Sequence, residues 1–298
     1  MQGKIRGVKR MKKLFAIVVI YFLVFSGSVR FQGVYSNAAT TAYTSNKVTV
    51  LKYVDTEKVW DDSTAEYRLK LMNQTVKIRE NVIATDITGM IIPVDDITSG
   101  SGVVVAIDVA SDSSLIMTAE HICSNLFEVG EIVGGKYKIL STEKEIITYK
   151  GKYVKARVLY KDEVNDVCIM EANAIVGESA DIGGMHPPVG ATVTTVGAPA
   201  GHWDRGLANL VDGIFIGYNP EKICVPGKCY SNMLQFSIPI VGGMSGSAVY
   251  YKGQVFALVT VGTNQYEHIG WGPGLMPIRN AYDIAYKMWQ EKISKNGI

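Results

Sequence analysis

From Thr75 to Pro277 the chain is a succession of short runs rich in Val, Ile, Thr and Tyr, divided by Gly-, Asp- and Pro-bearing turns. Runs of this length and composition predict strands rather than helices. Val76–Arg79 alternates, Gly102–Ile107 reads as a buried strand, and Leu115–Thr118 is the next. Lys136–Leu140, Glu145–Tyr149, Tyr153–Tyr160 and Val167–Met170 continue the series. Ile175–Pro188 is richer in Gly and Pro, which suits a connection between two halves. A second set follows at Thr192–Val196, Leu210–Gly217, Met233–Phe236, Ala248–Tyr251, Gln254–Val261 and Gly274–Pro277. Helical spacing of Ala281, Ile284, Ala285, Met288 and Trp289 predicts a closing helix over Asn280–Lys292, and Ser63–Met72 predicts a short one before the strands. Periodicity supports an all-β body, and the element order outlines two packed β-barrels, 75–185 and 186–298, behind an N-terminal extension 39–74.

With 298 residues and 47% hydrophobic content the chain can bury a sizeable core. A net charge of +2, with no basic run beyond the first residues, gives no argument for nucleic acid. Those first residues are distinctive. Lys4, Arg6, Lys9, Arg10, Lys12 and Lys13 precede the apolar run Leu14–Phe25. This pattern predicts a secretory signal peptide within residues 1–38, with membrane anchoring through residues 14–25 as the alternative. Either way the body is expected outside the cytoplasm. The four cysteines, Cys123, Cys168, Cys224 and Cys229, allow three pairings. Cys224-Val-Pro-Gly-Lys-Cys229 looks like a loop closed by a local disulfide, and four buried thiols are the alternative.

One loop carries chemistry. In Gly242-Gly243-Met244-Ser245-Gly246-Ser247 a serine lies among glycines, directly before the strand Ala248–Tyr251. A serine is a weak nucleophile unless a base and an orienting acid accompany it. Of the four histidines, His121 follows the strand Leu115–Thr118, whereas His186, His202 and His268 lie in turns and loops. Asp166 opens the apolar strand Val167–Met170, where a carboxylate is costly without a partner. Asp162, in the charged turn Lys161-Asp162-Glu163, reads as solvated.

Thr118-Ala119-Glu120-His121, Asp166-Val167-Cys168-Ile169 and Gly243-Met244-Ser245-Gly246-Ser247 resemble the three motif blocks of the trypsin-like serine peptidases, in that family's order. Ser99–Val103, Tyr160-Lys161-Asp162 and Val196–Gly201 are similar to the bacterial HtrA-like branch, without its PDZ module. The resemblance implies two packed six-stranded antiparallel β-barrels with a C-terminal helix. It also implies a serine endopeptidase with Ser245 as nucleophile, His121 as base and Asp166 as orienting acid. The N–H groups of Gly243 and Ser245 would form the oxyanion hole, and Thr260, Val261 and Gly262 would bind substrate. Partners would be proteins or peptides, with no cofactor and no metal.

Met244 stands where digestive relatives carry an acid that pairs with a new N-terminus, so that activation route is not expected. Ile132-Val133-Gly134-Gly135 resembles such an N-terminus but follows His121 and is expected to be a decoy. Glu120 is expected to face solvent, and Ser247 to be of little consequence. The uncharged segment Ser237–Val241 argues against Lys or Arg at the cleaved position and for a small or medium apolar residue. An α/β-hydrolase fits poorly, because Ser247 stands where its elbow needs glycine and its triad runs in another order. The competing functions are a non-catalytic peptide-binding protein on the same fold and a viral- or phage-type processing peptidase.

Overall fold

The computed structural model describes residues 62–94, 99–199, 209–225, 227–262 and 268–295. The basic and apolar N-terminal segment, the arm after it, Asp95-Asp96 and His202 lie outside them. Met1–Glu66 and Tyr67–Ile298 form separate units, and everything below concerns the second, apart from the start of helix α1 (Asp62–Asn73).

Eight strands make the first sheet: β1 (Thr75–Thr85), β2 (Ile91–Val94), β3 (Ser99–Asp108), β4 (Ser113–Thr118), β5 (Ile132–Val133), β6 (Tyr137–Thr148), β7 (Tyr153–Asp162) and β8 (Val167–Ala172). Their order is β2-β1-β3-β4-β8-β7-β6-β5, and a β1–β6 pairing from Val76↔Thr148 to Thr85↔Lys138 closes six of them into a barrel. Closure leaves those six strands without a free edge. The interior holds Val76, Ile78, Val104, Ile116, Ile146 and Met170. Val103, Leu115, Met117, Val167 and Ile169 point the other way and pack with Val193, Val196 and Phe236 of the second half. Strands β4 and β8 are therefore buried at every position. That is why their sequences run apolar instead of alternating.

The second half is an antiparallel sheet in the order β15-β14-β9-β10-β13-β17-β16. Its members are β9 (Thr192–Gly197), β10 (Asn209–Asn219), β13 (Met233–Ser237), β14 (Ala248–Tyr251), β15 (Gln254–Leu258), β16 (Val261–Gly262) and β17 (Gly270–Gly272). Phe215, Phe236 and Phe256 pack edge-on and tilted at its centre, with ring centroids 5.7–6.0 Å apart. A separate two-stranded hairpin, β11 (Ile223–Val225) with β12 (Lys228–Tyr230), carries the second cysteine pair.

Four local expectations change. Gln254–Val261 is not one strand but divides into β15 and β16, at opposite edges of the sheet. Lys136–Leu140 and Glu145–Tyr149 belong to one strand, β6. Polar Lys144 does not end it, because its ammonium is buried on Glu80 at 3.1 Å. Gly274–Pro277 is no strand, for helix α3 runs Leu275–Lys295 and starts earlier than the spacing predicts. Pro277 falls in its first turn, where a missing N–H costs no helical hydrogen bond. Ile223–Val225 and Lys228–Tyr230 form paired strands where the sequence suggests only a closed loop. Helix α3 buries Ile278, Ala281, Ala285 and Trp289, and Lys292 in its last turn reaches Glu171 on β8 at 2.8 Å. Burial alone would raise the Glu171 carboxyl, but Lys292 and Arg157 outweigh it and hold the group below its ordinary range.

Candidate active site

Strand β4 ends at Thr118, and the chain turns through Ala119 into the one-turn helix α2 (Glu120–Cys123). His121 is thus carried on a short piece anchored at both ends. Asp162 receives the backbone N–H groups of Val164 and Asn165, both at 3.1 Å, and shapes the turn that delivers Asp166 to the start of β8. Asp166 itself has φ +55°, a left-handed conformation unusual outside glycine and most tolerable for Asn and Asp.

The Asp166 side chain is wholly buried, and its carboxylate embraces His121. Nδ1 lies 2.9 Å from Oδ2 and 3.1 Å from Oδ1, and the backbone N–H of His121 donates to Oδ1 at 3.0 Å. A carboxylate only accepts, so Nδ1 carries the hydrogen, and in the neutral imidazole Nε2 is left as the acceptor. A disulfide between Cys123 and Cys168 runs beside this pair. The local Cys224–Cys229 disulfide also forms, and no described cysteine is free.

Ser245 lies on a loop whose glycines are structurally required. Gly243 and Gly246 have φ +90° and +84°. A Cβ on Gly246 would stand 2.1 Å from Thr118 Oγ1 and 2.2 Å from the Ser101 carbonyl oxygen. Absence of a side chain there lets the Ser245 loop press against the segment that leads into His121. Ser101 on β3 stitches the same contact. Its N–H donates to the Ser245 carbonyl at 2.8 Å, and its hydroxyl donates to the Gly243 carbonyl at 2.8 Å and accepts from Ala198 N–H at 2.9 Å. Its own carbonyl accepts the Thr118 hydroxyl at 2.6 Å. Apart from the Ser99–Val103 resemblance, nothing in the sequence marks Ser101 for this role. The Ser245 hydroxyl donates to the Thr260 carbonyl at 3.3 Å, and no hydrogen bond joins it to His121 among the described residues.

Thr260 and Val261 are buried and Gly262 is exposed; Val261 and Gly262 form β16, the edge strand of its sheet, and Thr260 directly precedes it. Gly262 and Gly270 face each other in register, and Ile240 packs across both. A Cβ at Gly270 would come within 1.7 Å of Ile240 Cδ1, and one at Gly262 within 3.0 Å of its Cβ. Met244 is buried, and the exposed Ile132 and half-buried Val133 form β5.

Glu120 corrects its expectation. It is buried instead of solvated, at 4% exposure. The turn of α2 brings the Ser124 hydroxyl to its Oε1 at 2.6 Å, Lys161 reaches the same oxygen at 3.2 Å, and Lys228 reaches Oε2 at 2.9 Å. Burial by itself would raise this carboxyl; the hydrogen bonds from Ser124, Lys228 and Lys161 outweigh it and hold the pKa at about 2. Ser247 keeps a buried hydroxyl with no hydrogen-bond partner among the described residues.

No curated protein sequence matches the chain. Among solved structures it is similar to the Rv3671c protease from M. tuberculosis in its active form. The TM-score is 0.50 at 15% identity, over 72% of this chain and 82% of that one. A serine-to-alanine mutant of Rv3671c from M. tuberculosis H37Rv, in an inactive form, gives a TM-score of 0.52 at 15% identity, over 76% and 94% of the two chains. At such identity the likeness is one of fold. The family model described as a trypsin-like peptidase domain matches residues 100–258, more than half of the chain. By that match, on a closed six-stranded barrel joined to a second antiparallel sheet, the chain belongs to the trypsin-like peptidase family.

Proposed function

We propose that the protein is a serine endopeptidase, in the manner of the HtrA-like branch, acting outside the cytoplasm. Ser245 Oγ attacks the peptide carbonyl while His121 Nε2 takes its proton. The acyl-enzyme forms as the protonated imidazole returns that proton to the leaving amine, and water then repeats the sequence to free the acid. Asp166 holds the tautomer this requires. The N–H groups of Gly243 and Ser245 receive the oxyanion, where one donor is typically worth about 3 kcal/mol in the transition state.

The observation that carries the reading is the Asp166 carboxylate on His121 Nδ1, which leaves Nε2 as acceptor on a segment packed against the Ser245 loop. A substrate peptide adds to the free edge at Val261–Gly262 as an extra strand. Ile240 narrows and greases the wall beside it, which favours a small apolar side chain at the cleaved position. The basic and apolar N-terminus and the two disulfides support a body exported from the cytoplasm.

Incubation with unfolded casein tests the activity. The wild type is expected to cut it, and Ser245→Ala to leave it intact. Equal cutting by both would assign the activity elsewhere. The bond from Ser245 to Thr260, in place of one to His121, favours a second reading as a non-catalytic peptide binder. On that reading casein peptides are retained uncut by wild type and variant alike.

A further inference from the structure

Glu120 adjoins His121 in the chain, yet the proposed chemistry does not use it. Its carboxylate joins three elements: Ser124 beyond α2, Lys161 on β7, and Lys228 on β12. A buried carboxylate is costly unless matched by charge and hydrogen bonds. Of its two lysines, Lys161 belongs to the same barrel. Lys228 comes from the second half, 108 residues away.

The hairpin that presents Lys228 reaches further still. The Lys228 ammonium stands 5.3 Å from the centre of the Tyr230 ring. Tyr230 is buried, and its phenol is pushed well above its ordinary range by burial and then by the negative charges of Asp166 and Glu120. Tyr230 thus lies close enough to Asp166 and Glu120 to feel the charge of both.

Ile223, Val225 and Tyr230 pack the hairpin against Met233, Val261 and Trp271, but its own backbone pairing is short. The hairpin is a two-stranded sheet of three residue pairs, and such a unit is marginal alone. One of the three pairs is Cys224↔Cys229, and these residues are disulfide-bonded. Both cysteines are exposed, whereas Cys123 and Cys168 are buried. A reductant therefore meets the hairpin bond first. The hairpin bond spans only five residues, so it removes little entropy from the unfolded chain and contributes modestly to global stability.

We infer that Lys228 and Glu120 form a latch between the two halves that positions His121, and that the exposed Cys224–Cys229 disulfide sets it. The effect on rate rests on the serine peptidase reading. Release is a balanced exchange with a dithiol reductant. Two electrons and two protons pass to the S–S bond, Cys224 and Cys229 become thiols, and the reductant closes to its own disulfide. Lys228 then leaves Glu120, and the His121 segment loosens while Cys123–Cys168 keeps the fold.

The full chain is labelled with diisopropyl fluorophosphate, oxidised and after dithiothreitol. Lys228→Met and Glu120→Gln are each expected to slow labelling about tenfold, the scale of a small misplacement of a reacting group. The double variant is no slower than the slower single one, and Lys228→Arg restores the rate. Cys224→Ser/Cys229→Ser labels slowly and ignores dithiothreitol, whereas the wild type slows on reduction and recovers on reoxidation. Hydrogen–deuterium exchange over residues 118–126, in a Ser245→Ala background, reads the latch without activity; exchange is expected to rise on reduction and in Lys228→Met. Unchanged labelling and exchange in Lys228→Met overturn the latch. Equal slowing of the wild type and Cys224→Ser/Cys229→Ser by dithiothreitol overturns the role of the disulfide. Exchange that rises in a protein whose wild type never labels sustains the latch and removes the peptidase reading.

Discussion

Cys123 is disulfide-bonded to Cys168, and the two follow His121 and Asp166 by two residues each. Both pairs have a separation of 45 residues, so one covalent and one hydrogen-bonded rung tie the same two segments together. Loop-closure entropy for that separation is about 4 kcal/mol, against about 2 kcal/mol for the short hairpin loop. Cys123→Ala/Cys168→Ala is therefore expected to lose roughly twice the unfolding free energy lost by Cys224→Ser/Cys229→Ser in urea titrations. Equal losses would mean that chain entropy is not what the first disulfide supplies.

Asp166→Asn keeps the size of the side chain and removes its exclusive preference for a donor. An amide can donate to Nδ1, which moves the hydrogen to Nε2 and abolishes the base. Casein cleavage is expected to fall about 10⁴-fold with the fold retained by circular dichroism. A loss below tenfold would show that Asp166 does not select the tautomer.

Gly246 and Gly89 have nearly the same backbone, φ +84° and +85°, in very different surroundings. A Cβ at Gly89 meets nothing within 4 Å, so Gly89→Ala is expected to cost only the left-handed strain, about 1 kcal/mol. Gly246→Ala adds a clash with the Ser101 backbone and is expected to cost at least about 3 kcal/mol, or to prevent folding. Thermal unfolding of the two variants side by side decides this; similar melting temperatures would refute the close approach of the two loops.

The contact of His121 with Asp166, and the Ser245 loop packed beside it, are legible in the sequence because each residue borders an apolar run, among small or turn-forming residues. The β-rich body is legible for the same reason. What is not legible depends on contacts between distant segments. Ser101 meets Gly243 across 142 residues, and nothing near Ser101 announces it. Glu120 reads as solvated because Lys161 and Lys228, which let it be buried, lie 41 and 108 residues away. Helix α3 starts earlier than the pattern implies because Gly274-Leu275-Met276-Pro277 carries strand and turn residues, while the packing of Leu275 and Ile278 makes it helical. Cysteine count alone leaves the disulfide pairing open; the matching separation of the His–Asp and Cys–Cys pairs is the signal that points to it.

Glu120 gives the fold a pH signature. Its carboxyl lies below its ordinary value, so its pairing stabilises the protein above about pH 4.5 and is lost as pH falls towards 2. The contribution is at most about 3 kcal/mol, reduced by screening of the half-exposed lysines. Glu120→Gln is expected to lower unfolding free energy from pH 5 to 7 and to converge with the wild type near pH 2. A constant difference across that range would contradict the ionic origin.

The most direct measurement is the site of covalent capture by diisopropyl fluorophosphate. After incubation of the oxidised protein, intact mass and peptide mapping are expected to find one phosphoryl adduct, on Ser245, absent in Ser245→Ala and greatly slowed in Asp166→Asn. A folded wild-type protein that stays unmodified at Ser245, or is modified at another serine, would contradict the assignment of Ser245, His121 and Asp166 as one catalytic unit.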